Sequence, residues 1–139
     1  MAANTQPIFV DTGNFTPARI TAANTASDGS GALVTLVTAG VDGTRVDGVR
    51  YRNSQAAAAV SSAMVQRIFL SNTGGTEYRL IGEVIMASAT RTTTAIGATA
   101  IYTFDQPIIM QSGQIIAICQ SVYAGVQDQN DACAFASNY

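Results

Sequence analysis

The chain has 139 residues, a net charge of −2, and 12% charged against 47% hydrophobic residues. This length predicts one domain, and the composition is the opposite of that of a disordered chain. The negative net charge argues against nucleic-acid binding, which needs clustered basic residues. Histidine is absent, which excludes the catalytic triads and metal sites that depend on it.

The first element in chain order is an N-terminal arm over residues 1–15. It carries no charged side chain before Asp11, and its apolar cluster is Ile8, Phe9 and Val10. Because an extended, uncharged segment with apolar anchors can add to a sheet edge of a partner, these three residues are candidate docking residues. The alternative is an edge strand of the chain's own sheet. The arm also lacks the basic and apolar regions of a signal peptide, so we expect the chain to stay in a cytoplasm until assembly.

Residues 16–139 contain short apolar runs, often β-branched, separated by turns rich in Gly, Asn and Asp. Such runs predict roughly eight to ten strands in an all-β fold, a single sandwich or barrel. The polar stretches 53–63 and 87–100 are predicted loops. The predicted strands cover residues 16–22, 33–37, 44–52, 64–71, 77–86, 101–104, 107–110, 114–122 and 131–137.

Two parts of the chain are predicted to form hairpins. The first is residues 64–86, with a glycine-bearing loop between its strands. The second is residues 105–122, in which two apolar runs flank a Ser-Gly turn. The apolar density of this second segment predicts a core hairpin in a sheet covered on both sides. Alternation along the strands predicts four buried side chains, which are Ile116, Ile118, Leu80 and Val84.

No group of residues predicts catalysis, a cofactor or a bound metal, so we do not expect an enzyme. Most carboxylates occupy predicted turns, where turn geometry explains them. Two acidic loops, 25–31 and 128–131, offer oxygen atoms for calcium but do not match the EF-hand pattern. Cys119 and Cys133 lack a C-x-x-C motif and are predicted to be reduced, although they could be neighbours in the fold.

All seven basic residues are arginine. Arginine is enriched and lysine depleted in protein–protein interfaces, because the guanidinium group is weakly hydrated and forms forked hydrogen bonds. A surface with so few charges also keeps a monomer in solution only weakly. The composition therefore favours self-association, although codon usage in an arginine-rich genome would explain the missing lysine equally well.

Four segments, in this order, resemble small virion structural proteins of tailed bacteriophages. They are MAANTQPIF (residues 1–9), TAGVDGTRVDGVRYRN (38–53), RIFLSNTGGTEYRLIGEV (67–84) and QPIIMQSGQIIAI (106–118). None of these motifs is catalytic. Together they extend over nearly the whole chain, and their order carries the resemblance.

The resemblance implies a head decoration (cement) protein with a jelly-roll-like antiparallel β-sandwich. It further implies a homotrimer on the capsid surface of the virion, assembled in the host cytoplasm. The expected partners are other copies of the chain and the major capsid protein of the same virion, with no nucleic acid, membrane or cofactor. Two alternatives remain open: another virion part (tail, neck or fibre base), and a carbohydrate-binding sandwich. The second is disfavoured because the chain has no tryptophan and only five tyrosines.

Overall fold

The computed structural model describes residues 12–55, 58–72 and 74–139. These ranges contain nine strands and one short 3-10 helix, η1, and no α-helix. In chain order the elements are β1 (Thr12–Gly13), β2 (Pro17–Ile20), β3 (Val34–Thr38), β4 (Thr44–Asn53), β5 (Met64–Ser71), β6 (Tyr78–Met86), β7 (Thr99–Met110), β8 (Ile115–Gln120), η1 (Val126–Asp128) and β9 (Asn130–Asn138).

The strands form two antiparallel sheets that pack face to face. The first has the order β1-β9-β4-β7, with β2 also paired to β9, and the second has the order β3-β8-β5-β6. The pairs β2·β9, β3·β8, β4·β7 and β5·β6 are nested in the sequence, each inside the one before. Nested pairing across two sheets is the arrangement of a jelly roll. The predicted all-β, jelly-roll-like antiparallel sandwich is therefore confirmed.

The core lies between the two sheets and is built from side chains that alternate inward along each strand. In the middle of β9 the inward residues Ala132, Ala134 and Ala136 are small, which leaves room for larger side chains from the neighbouring strands. The largest fully buried apolar members of the core are Ile20, Leu36, Val37, Tyr51, Ile68, Met86, Met110, Ile116 and Ile118.

The segment 105–122 is not the hairpin that its sequence predicts. Strand β7 pairs with β4 in the first sheet, whereas β8 pairs with β3 and β5 in the second. The turn between them, closed by a hydrogen bond from Gln114 N to Gln111 O at 3.0 Å, crosses from one sheet to the other. Gly113 supports this turn with a φ of 82°. Turn residues identify where the chain reverses, but they do not reveal which strand becomes the hydrogen-bonding partner.

Strand β8 is nevertheless covered on both sides, as its apolar density predicts. Its inward residues meet the core, and the outward Cys119 is fully buried. The loop from β2 to β3 crosses this outer side, where Asn24 N donates to Gln120 O at 2.8 Å and Asn24 O accepts from Arg67 at 3.2 Å. Residues 25–31, the first of the two acidic loops in the sequence, are part of this crossing loop.

Two predicted strands, 101–104 and 107–110, are one strand in the structure. They form β7, an edge strand that contains Pro107, which edge strands tolerate because one row of N–H groups has no ladder partner. The ladder with β4 shifts within this strand, because Val46 faces Ile108 while Gly48 faces Thr103. The residues of β7 between these two pairs form a bulge opposite Asp47.

The burial prediction is right for Ile116 and Ile118, which are fully buried, and wrong for Leu80, which is 37% exposed. A bulge between β5 and β6 explains the error: Gly82 faces Ile68, but Leu80 faces the very next residue of β5. The extra residue reverses the side-chain alternation, so Leu80 points away from the core. Val84, on the other side of the bulge, is half-buried against the core.

One end of the sandwich is held together by buried polar groups. The carboxylate of Asp128, in η1, is fully buried and accepts hydrogen bonds from Ser62 N at 2.7 Å, Ser62 Oγ at 3.0 Å and Ala124 N at 2.8 Å. It thereby ties the β4–β5 loop to the β8–β9 loop. Beside it, Gln120 Nε2 donates to Asp128 O at 2.9 Å, and Asn130 donates to Gln120 Oε1 at 2.8 Å.

The first prediction concerns the core. Replacing Ile118 by alanine should lower the free energy of unfolding by about 2–5 kcal/mol, since it removes a fully buried side chain and leaves a cavity. The matched control is Ile85→Ala, which changes a side chain that is 76% exposed and should cost less than about 0.5 kcal/mol. Urea denaturation of both variants provides the comparison, and equal effects would contradict the described strand register.

The second prediction concerns the buried carboxylate. Asp128→Asn replaces an oxygen acceptor by an NH2 group that faces the donors Ser62 and Ala124, so we expect a loss of about 2–3 kcal/mol. Asp42→Asn is the control because Asp42 is exposed and its side chain forms no hydrogen bond or ion pair within the described residues. Thermal unfolding followed by circular dichroism compares the two. A stable Asp128→Asn variant would mean that the loops are held by other contacts.

Candidate interaction surface

The outward side of the first sheet presents apolar and arginine side chains in rows that cross β9, β4 and β7. The ladder places Cys133, Arg50 and Ile101 in one row, and Phe135 and Thr103 on either side of Gly48 in the next. We call this side of the sheet, together with the flanking Phe15, the exposed face. Its outward residues are Phe15, Asp131, Cys133, Phe135, Ser137, Arg45, Asp47, Arg50, Arg52, Thr99, Ile101, Thr103 and Ile109.

The exposed face leaves several large apolar side chains in solvent. Phe15 is 64% exposed, Ile109 is 58%, Ile101 is 54% and Phe135 is 37%. Single exposed apolar residues are normal on protein surfaces, but several on one flat sheet face indicate a contact surface. This is the most extensive such arrangement that the described strands present on one face.

Phe15 occupies the short connection between β1 and β2 and lies over the sheet. A Cβ atom on Gly13 would come within 2.5 Å of its ring, so the glycine makes this position of the ring possible. The ring lines two open depressions, one of about 290 Å³ with Arg50 and Cys133, and one of about 360 Å³ with Phe135. Both are open to solvent and suit a protuberance from a partner.

Two arginines of the first sheet, Arg19 and Arg45, form ion pairs with carboxylates. Asp131 accepts two hydrogen bonds from Arg19, at 2.7 and 3.2 Å, which lower the pKa of its carboxyl group. Arg45 donates twice to Asp47, at 2.7 and 3.0 Å.

Within the described residues, the carboxylates of the two loops considered for calcium already have partners in the chain. Asp28 accepts hydrogen bonds from Ser30 N at 2.9 Å and Ser30 Oγ at 2.6 Å, which lower its pKa. Glu83 pairs with Arg67 at 2.8 Å, and Glu77 with Arg79 at 3.5 Å. The described residues hold no group of three or more potential metal ligands.

The two cysteines are free and lie on opposite outer sides of the sandwich. Cys119 faces outward from β8 in the second sheet, under the β2–β3 loop, and its thiol donates to Asn24 O at 3.7 Å. Burial raises its pKa. Cys133 faces outward from β9 in the first sheet and is half-buried. The prediction that both are reduced agrees with this arrangement, and the idea that they are neighbours is wrong.

The structure leaves one sequence-predicted site untested and supplies another that the sequence did not indicate. The candidate docking residues Ile8, Phe9 and Val10 lie outside the described residues. The exposed face was missed because Phe15, Phe135 and Ile101 come together only through strand pairing. Alternation in β4 was the available signal, since it places Arg50 and Arg52 on one side.

Comparison with known protein families and with curated proteins gives no match. Among the described residues, no helix has the length and apolar character needed to cross a membrane.

The third prediction concerns the thiols. In denaturant without reductant, Ellman's reagent should titrate two free thiols, because the cysteines cannot pair across the sandwich. In the native protein Cys119 should not react, since its thiol is buried and its pKa is raised. Cys133→Ser isolates this behaviour: it should show no reactive thiol when native and one when denatured. A rapidly reacting thiol in native Cys133→Ser would contradict the described burial.

Proposed function

We propose that the protein is a structural component of a tailed-bacteriophage virion, a decoration (cement) protein that binds the head shell and stabilises it. The observation that carries this proposal is the exposed face, a flat apolar surface with arginines on a chain with little charge. Apolar side chains and arginine are typical of the centre of protein–protein contacts. A cement protein acts only through such contacts and needs no reactive site.

The exposed face supports a role in protein–protein contacts, and the sequence resemblance is the reason for proposing that these contacts are made in a virion. Its three inner segments fall on β4, on the β5–β6 hairpin, and on β7 with β8, so they cover both sheets of the jelly roll. Jelly rolls occur in viral capsid proteins and in lectins, which makes the fold compatible with the proposal without identifying it.

The proposal includes a homotrimer on the capsid surface, with the major capsid protein as the second partner. Closed symmetry lets each copy bury its apolar surface without unlimited association. The same contact surface would also serve a tail, neck or fibre-base protein, and a map of the intact particle distinguishes these positions. A carbohydrate-binding module is less well supported, because Tyr51 is buried in the core and the most exposed aromatic side chain among the described residues is Phe15.

The fourth prediction tests docking by the N-terminal segment. Deleting residues 1–7 and replacing Phe9 by serine should abolish co-sedimentation with particles that lack the protein, because the apolar anchors Ile8, Phe9 and Val10 are shortened or interrupted. The control is Val60→Ser, which alters an exposed residue of the loop between β4 and β5; this variant should bind particles normally.

Circular dichroism and light scattering accompany this experiment. A variant that is folded and oligomeric but unbound supports docking by the segment. A variant that unfolds would show that the segment belongs to the sandwich instead. Normal binding to particles would refute the docking role.

A further inference from the structure

Two arginines on the exposed face have no ion-pair partner within the described ranges. Arg50 and Arg52 are two residues apart on β4, so both point outward and lie side by side. The other cations of this sheet, Arg19 and Arg45, are each paired with a carboxylate at 2.7 Å. An apolar surface with two unpaired positive charges is complementary to an apolar surface with a negative charge.

The chain itself presents an unpaired negative charge at the edge of this sheet. Among the described carboxylates, only Asp42 and Asp105 are exposed with neither an ion pair nor a hydrogen bond. Asp105 lies in the bulge of β7, at the free edge of the first sheet, followed by the exposed Gln106 and Pro107.

The bulge that carries Asp105 is anchored from beneath. Phe104, directly before it, packs edge-to-face on Tyr102 with ring centroids 5.2 Å apart. The hydroxyl group of Tyr102 in turn reaches Ile81 O in the second sheet at 3.5 Å. The carboxylate is therefore presented from a supported position rather than from a free loop, which lowers the entropy lost when it binds.

The charges also decide between two ways in which copies could meet. A two-fold contact of exposed face on exposed face would bring the unpaired arginines of both copies into one interface. The carboxylates that the described residues place on this face, Asp131 and Asp47, are already bound to Arg19 and Arg45. Like charges meeting in a contact oppose association. A head-to-tail contact avoids this, because one copy contributes its face and the other its edge.

We propose that the exposed face of one copy binds the β7 edge of a second copy, with Asp105 of the second copy between Arg50 and Arg52 of the first. Repetition of this contact closes a ring when the rotation between successive copies is that of a closed point group, as in the proposed trimer. Three strands about 4.8 Å apart and four rows about 6.7 Å apart give a face of roughly 400 Å², about half of one partner's share in a standard interface. Each copy in a ring makes two such contacts. This proposal rests on the self-association in the proposed function, but not on binding to a capsid.

The test is a charge exchange followed by light scattering coupled to size exclusion, and by sedimentation across a concentration series. The variant Arg50→Glu/Arg52→Glu should weaken self-association about tenfold or more, because it places like charges opposite Asp105. Asp105→Arg alone should weaken it as well. The triple variant Arg50→Glu/Arg52→Glu/Asp105→Arg should recover the oligomer, because it restores attraction with the signs reversed.

Two controls make the result specific. Asp42→Arg changes the other unpaired carboxylate and should neither weaken the wild-type oligomer nor rescue the double variant. Arg50→Gln/Arg52→Gln removes attraction without adding repulsion, so it still gives an answer if the glutamate variant fails to fold. The proposal is overturned if the wild type is a monomer, if the glutamine variant associates as tightly as the wild type, or if a folded triple variant stays dissociated. None of these measurements uses particles, so their outcome is separate from that of the docking experiment.

Discussion

Strand β4 connects the two surfaces on which the molecule depends, because its side chains alternate between the core and the exposed face. Val49 and Tyr51 are fully buried, and Arg50 and Arg52 lie in solvent on the opposite side. The strand is paired with β9 along one edge and with β7 along the other. A shift of its register by one residue would exchange these sets, moving arginine into the core and tyrosine into water.

The sequence predicts the positions of the strands, which depend on neighbouring residues, but not the pairing of the strands, which depends on residues far apart in the chain. Runs of β-branched residues and Gly or Asp turns located most strands to within a few residues. The partner of each strand depends on the whole chain: in β2, Arg19 meets Asp131, which is 112 residues away in sequence. For the same reason the sequence predicts a hairpin at residues 105–122 that the structure does not contain. Strands that follow each other in sequence are often, but not always, neighbours in one sheet.

Bulges account for the remaining errors in the predicted burial. Strict alternation placed Leu80 with Val84, but one extra residue in β6 separates them onto different sides. A bulge in β7 likewise leaves Asp105 and its neighbours without ladder partners on β4. A bulge depends on how two strands fit together, so a period of two in one strand cannot reveal it. The sequence does not predict the candidate interaction surface either, because its members belong to three separate strands and a connecting loop.

The nested pairing also has a consequence for how the chain reaches its native state. Strand β9 supplies the ladder for β1, β2 and one edge of β4, and it is the last of these strands to leave the ribosome. Until then β4 has a bare edge, and the alanines that complete the core under Tyr51 are missing. A topology dominated by such distant contacts folds slowly and exposes unpaired edges for longer. Until β9 appears during synthesis, the chain therefore carries an unpaired β4 edge, and an unpaired strand edge is a site at which aggregation begins.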